Sequence, residues 1–192
     1  MSLRVVVVED ETLTRIDLIE ILKENGYDVV GEASDGIEAV EVCKKLNPDL
    51  VLLDIKIPYV SGLKVAEMLK EENFKGCIII LTAYNIAEYI QKASNTIVMG
   101  YILKPIDEDT FIERIKLIYK NYKLYSDLRD EVEETKRKLE ERKVIERAKG
   151  IIMVKNNMSE EEAYKHMRDL SMQKRISMSK LSDIIISTGG LE

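Results

Sequence analysis

The chain has 192 residues and a formal net charge of −6, with 45% hydrophobic and 33% charged residues. That balance is globular rather than disordered, and at ~100–200 residues per domain it permits one or two domains. A single histidine argues against a multi-histidine metal centre, and two cysteines without CxxC spacing against a disulfide framework. No apolar run reaches the ~18 residues of a membrane span, so a reducing, cytoplasmic setting is expected.

Along the chain, short apolar runs alternate with helical stretches. Strands are expected over residues 3–8, 27–33, 50–54, 78–81 and 98–103, and helices over 13–24, 36–46, 62–71 and 86–94. This rhythm argues for βαβ units and a parallel sheet. A fifth helix begins near Asp107, whose side chain can cap its first turn. Between Asp107 and Met153 there is no proline and the only glycine is Gly150, so nothing obliges that helix to stop early.

Polar residues stand where the strands end. Asp10, flanked by Glu9 and Glu11, follows the first; Asp54 closes the third; Thr82 follows the fourth; Lys104 follows the fifth. In open parallel sheets the ligand crevice lies beyond the carboxyl ends of the strands, so these groups converge. Glu9, Asp10 and Asp54 would repel one another, and a hard divalent cation that prefers oxygen ligands, Mg²⁺, relieves that repulsion. Lys104 adds a positive charge and Thr82 a hydroxyl. Such a set suits a phosphoryl group moving onto a carboxylate nucleophile.

These residues resemble a known family. Val5 to Val8 ahead of Glu9-Asp10-Glu11, the run Asp49-Leu-Val-Leu-Leu-Asp54-Ile-Lys-Ile-Pro58 with Ser61-Gly62, the step Leu81-Thr82-Ala83, and Tyr101-Ile-Leu-Lys104-Pro105 resemble the receiver domain of two-component response regulators. The resemblance covers roughly residues 1–121 and implies a five-stranded, parallel, doubly wound, flavodoxin-like α/β domain. It further implies that Asp54 is the phosphoacceptor and that a histidine kinase is the partner. Glu9, Asp10, Asp54 and the Lys56 backbone carbonyl would hold Mg²⁺, while Thr82 and Lys104 would contact the phosphoryl oxygens. Tyr101 falls at the family's switch-aromatic position, and the Lys104–Pro105 bond is usually cis in the family.

Beyond residue 121 the pattern changes. Ile118, Asn121, Tyr125, Leu128, Val132, Thr135, Leu139 and Arg142 recur at three-and-four spacing, which reads as a helical coiled-coil linker over 122–145. Asn121, Thr135 and Arg142 make it a poor seam, which leaves two readings: a single charged helix acting as a spacer, or, preferred, self-association that depends on phosphorylation. Charge shifts as well. Residues 1–121 carry 14 lysines and arginines against 21 aspartates and glutamates, whereas residues 142–186 carry 10 against 6. A basic cluster on an acidic protein points to a polyanion. Ser159-Glu-Glu-Glu162 is a capping-box signature that starts a helix with Ala163, Met167 and Leu170 on one face. Ser177 caps a last helix carrying Met178, Leu181, Ile184 and Ile185. With the apolar side of residues 151–154 they make a small three-helix unit, in which the methionines act as packing filler.

Here too there is a resemblance. Arg142-Lys-Val-Ile-Glu-Arg-Ala148-Lys149-Gly150-Ile-Ile-Met153, then Ser159-Glu-Glu-Glu-Ala163-Tyr164, Ser171-Met172 and Leu181-Ser-Asp-Ile184-Ile185 are similar to the ANTAR domain of transcription antitermination regulators, over residues 125–186. Ile185 departs from the family, which generally has alanine there. The resemblance implies binding of hairpin RNA by a homodimer that phosphorylation promotes, with Arg142, Arg147, Lys149, Arg168 and Arg175 as candidates for phosphate or base contacts. Gly150 is costly inside a helix, and either close approach of a neighbouring helix or of nucleic acid compensates it or the fold simply tolerates it. The competing readings are a DNA-binding regulator and a module that sequesters a protein. Against DNA, the terminal helix offers only Lys180 to set against Asp183. The tail holds no cysteine and no catalytic constellation, so an enzyme is not expected.

Overall fold

The computed structural model describes residues 2–83 and 97–190, and the helix expected over 86–94 lies outside them. The chain runs β1 (Arg4–Val8), α1 (Thr12–Glu24), β2 (Asp28–Ala33), α2 (Gly36–Leu46), β3 (Leu50–Asp54), α3 (Gly62–Glu71), β4 (Cys77–Thr82) and β5 (Val98–Leu103), then α4 (Glu108–Asn156), α5 (Glu160–Lys174) and α6 (Met178–Thr188). Expected strand ends shift by one residue. Leu3 and Tyr27 precede their strands, while β4 takes in Cys77 and Thr82, because these pair with Leu50 and Leu103 and so extend the ladder past the apolar run. Two units divide between Tyr125 and Ser126.

In the first unit all strand pairs are parallel, in the order β2-β1-β3-β4-β5. The β1 run of valines is continuous because both faces of a parallel sheet are covered. Val6 and Val8 join the layer formed with α2 and α3, whereas Val5 and Val7 join the layer formed with α1 and Phe111, Ile112 and Ile115 of α4. Cys43 and Cys77 are buried, free thiols within these layers. Asp107 caps α4 as expected, its Oδ2 accepting from the Thr110 N–H at 3.2 Å. Gly62 opens α3 directly against β3: a Cβ there would lie 2.1 Å from the Asp54 carbonyl oxygen. Only glycine permits that approach, and it fixes the backbone that carries Asp54.

Helix α4 continues for 49 residues. Of the three-and-four seam, Ile118 packs on the receiver-like core, but Tyr125, Leu128, Val132 and Leu139 are each more than half exposed. No helix among the described residues is long and apolar enough to cross a membrane.

The second unit is a three-helix core built from Ala148 and Ile152 of α4, Ala163 and Met167 of α5, and Leu181 and Ile185 of α6. Ser159 forms the capping box: the Glu162 N–H donates to Ser159 Oγ at 3.3 Å and the Ser159 N–H donates to Glu162 Oε2 at 2.8 Å. The Lys180 N–H donates to Ser177 Oγ at the start of α6. Two expectations need correction. Ile184 is exposed rather than on the apolar face, and Ser182 takes the buried place, its hydroxyl donating to the Met178 carbonyl at 2.7 Å. Val154 is also exposed, since the helical turn carries Ile152 inward and Val154 out. Ile185, the departure from the ANTAR pattern, is fully buried.

The methionines separate by burial, Met167 being enclosed and Met172 mostly exposed. Met167→Ala should therefore cost about 2–5 kcal/mol and Met172→Ala within about 0.5 kcal/mol by denaturant unfolding. Equal costs would contradict this core.

Candidate functional site

At the carboxyl end of the sheet, Glu9 follows β1, Asp54 ends β3, Thr82 ends β4 and Lys104 follows β5. Glu9 and Asp54 stand at the neighbouring strands β1 and β3, where the strand order reverses and a crevice opens. Ligand oxygens of Glu9, Asp10 and Asp54 lie within 4.8 Å of one another. A hollow of about 490 Å³ is lined by Glu9, Asp10, Glu11, Asp54, Lys56, Ala83 and Lys104.

Hydrogen bonds hold the cluster together. Lys104 Nζ donates to Glu9 Oε2 at 2.6 Å and, through a short contact, to Asp54 Oδ2. Asp54 Oδ1 accepts from the Lys56 N–H at 2.9 Å. The Lys104 N–H donates to the Thr82 carbonyl at 2.8 Å, tying the ends of β4 and β5. Thr82 is buried, while Asp10 is exposed to the hollow. Tyr101 is half-buried on β5 against the α2–α3 layer, and burial raises its phenol pKa. The Lys104–Pro105 peptide is cis.

The charges do not balance. Two carboxylates share one ammonium, and Asp10 adds a third negative group. Burial pushes the Glu9 carboxyl above its ordinary 4.5; Lys104 pulls it back, and Asp54 pushes it up again. Burial opposes the Lys104 charge, but the hydrogen bonds to Asp54 and Glu9 outweigh it and hold the ammonium above 10.5. Both shifts point upward, as a site with surplus negative charge requires. An oxygen-only, over-acidic donor set of this kind fits a hard divalent cation.

Sequence reasoning missed Arg15. Its Nη1 donates to the Glu9 carbonyl at 2.7 Å and its Nε to Glu32 at 2.9 Å, bracing the loop that carries Glu9 and Asp10. The contact joins a helix to a strand end and a second strand, so no local pattern announces it.

In the second unit the five basic candidates separate. Arg142, Arg147, Arg168 and Arg175 are exposed and have no ion-pair partner among the described residues. Lys149 is the correction. Its side chain is 8% exposed, and Nζ pairs with Glu146 at 2.6 Å and Glu160 at 2.7 Å, tying α4 to the first turn of α5. The Glu146 pair lies at i,i+3 and is readable from sequence; Glu160 comes from another helix and is not. Among the described residues no neighbouring helix packs on Gly150, for a Cβ built there meets nothing within 4 Å, which leaves nucleic acid or simple tolerance as the account of that glycine.

Comparison with known proteins agrees with this geometry. The response regulator receiver domain matches residues 5–116, so the chain belongs to the response regulators. The ANTAR domain matches residues 133–186. The transcriptional regulatory protein PdtaR of Mycobacterium tuberculosis is 36% identical over 97% of this chain and 91% of its own length. The transcriptional regulatory protein BtsR of Escherichia coli is 40% identical over 55% of this chain and 44% of its own. Among solved structures, the signal receiver domain of a modulated diguanylate cyclase from Desulfovibrio desulfuricans superposes with a TM-score of 0.58 at 32% identity, covering 65% of this chain and 99% of that one. The response regulator domain of Thermotoga maritima CheB gives 0.57 at 26% identity, covering 62% and 98%. A receiver joined to an ANTAR domain is a signalling regulator rather than an enzyme.

Three outcomes follow. Because protons compete at Glu9, affinity for a divalent cation should fall as pH is lowered from 7 through the raised Glu9 pKa, with proton release on binding. Asp10→Asn should lose about tenfold or more of that affinity; calorimetry at two pH values checks both. Gly150→Ala should raise the melting temperature, since it gains about 1 kcal/mol of helix propensity and meets no steric cost.

Proposed function

We propose that this response regulator accepts a phosphoryl group on Asp54 from a cytoplasmic histidine kinase and thereby gains affinity for hairpin RNA, antiterminating transcription. The observation that carries the reading is an acidic, lysine-bridged site in one unit and unpaired arginines in the other, the ANTAR unit. The likeness to PdtaR, a transcriptional regulatory protein, over nearly the whole chain supports the regulatory part of it.

Asp54 is the nucleophile. As its carboxylate oxygen bonds to phosphorus, the P–N bond of the kinase phosphohistidine breaks. Glu9, Asp10, Asp54 and the Lys56 carbonyl would hold Mg²⁺, which would neutralise charge on the phosphoryl oxygens. Lys104 exchanges its bond to Asp54 for one to a phosphoryl oxygen, and the Thr82 hydroxyl donates to another. Either change loads the ends of β4 and β5, and Tyr101 on β5 reports it to the surface.

The exposed seam of α4 over residues 122–145 then pairs with that of a second copy. Dimerisation matters because a second RNA contact made within one complex raises avidity ~100-fold or more without new contacts. The RNA-facing residues are Arg142, Arg147, Arg168 and Arg175, with Lys149 bracing the α4–α5 junction. Hairpin loops suit such a surface, since unpaired bases are accessible and the deep groove of an A-form stem is not.

The test is binding of the full chain, with Mg²⁺ and with or without beryllofluoride, to a pool of two-hairpin RNAs and to duplex DNA at one salt concentration. RNA affinity should rise about tenfold or more with the mimic and stay flat in Asp54→Asn. Preference for DNA, or affinity indifferent to the mimic, would overturn the reading.

A further inference from the structure

The ANTAR unit carries a hollow of about 520 Å³ lined by Arg147, Gly150, Ile151, Val154, Lys155 and Gly189. Five of these lie on one face of α4, spaced three and four apart, and Gly189 is the cap of α6, with φ of +71°. We infer that this hollow is a seat for one unpaired RNA base, which lies flat on the bare helix backbone at Gly150 between the Arg147 and Lys155 side chains. The inference rests on the RNA-binding reading above and names the subsite within it.

Gly150 is a floor with no wall above it. Among the described residues nothing lies within 4 Å of its Cβ position, so no packing demand seen there explains a glycine in the middle of a long helix. Its absent side chain instead exposes a flat patch of backbone. Val154, 87% exposed, and half-buried Ile151 add an apolar margin of the kind that a base face covers.

The flanking charge selects the occupant. Neither Arg147 nor Lys155 has an ion-pair partner among the described residues, although Lys149, between them in sequence, has two. Lys155 is also positioned by α6. A Cβ at Gly190 would lie 2.4 Å from Lys155 Cδ and 2.8 Å from its Nζ, so the lysine stem rests on glycine backbone at the rim of the hollow. An apolar floor between two uncommitted cations matches a planar base with a phosphate on either side. An acidic, apolar protein segment would complement the same charge, and RNA binding left unchanged in Gly150→Leu is the outcome that would favour it over a base.

The test uses the full chain with Mg²⁺ and beryllofluoride and one two-hairpin RNA taken from the binding pool. Each loop nucleotide is replaced in turn by an abasic one. One position should lower affinity about tenfold, and Gly150→Leu should do the same for the intact RNA. The combination should be no worse than either alone, because both empty the same seat. Gly150→Ala should bind several-fold more weakly while melting higher, which separates a filled seat from a damaged fold. Arg147→Gln and Lys155→Gln should each weaken binding and flatten its salt dependence.

Additive losses, or Gly150→Leu binding as tightly as the unsubstituted chain, would overturn the seat and leave RNA binding standing. Failure of the unsubstituted chain to bind any RNA in the pool would overturn both.

Discussion

Lys104 follows the edge strand β5, yet its ammonium reaches carboxylates that follow β1 and end β3, three and two strands away in the sheet. Parallel pairing makes the reach possible, because every strand delivers its carboxyl end to the same side. One cation held between two buried anions carries a desolvation cost that the pairing offsets only in part. The remainder shows as a Glu9 carboxyl held above its ordinary range. The site is thus folded but electrostatically incomplete. In the proposed phosphoryl transfer a divalent cation would complete it on one side, and the phosphoryl group, by drawing Lys104 away from Asp54, would redistribute it on the other.

That incompleteness needs a stiff frame. Gly62 brings α3 onto the Asp54 carbonyl, Arg15 braces the Glu9 carbonyl, and the Lys104 N–H fastens β5 to Thr82. Each links backbone rather than side chain to its neighbour. In the proposed transfer the carboxylates and the ammonium would change partners over a backbone that stays pinned, and the consequence would pass to the strand carrying Tyr101.

The second unit solves a different problem, holding a small core together while leaving positive charge available. Ala148 and Ala163 are fully enclosed in that core, and Ile152, Met167, Leu181 and Ile185 fill the rest. Lys149 is spent on the α4–α5 junction, where Glu146 and Glu160 meet it. Arg142, Arg147, Arg168 and Arg175 stay outside that arrangement. Burial, not composition, sorts the structural cation from the accessible ones.

Alternating apolar runs, the polar residues at strand ends, the Asp107 cap and the Ser159 capping box are local patterns, set by neighbours within a few residues. The sequence by itself therefore determined the order of the elements, the parallel sheet and the Glu9, Asp10, Asp54, Thr82 and Lys104 set, and through two resemblances it determined the family. The fate of Lys149, the outward turn of Ile184 and Val154, the bracing by Arg15 and the open space over Gly150 depend instead on which helix or strand crosses which. Those are contacts between residues distant in the chain, and a one-dimensional pattern carries no information on the distance between them. Only the tertiary structure decided them.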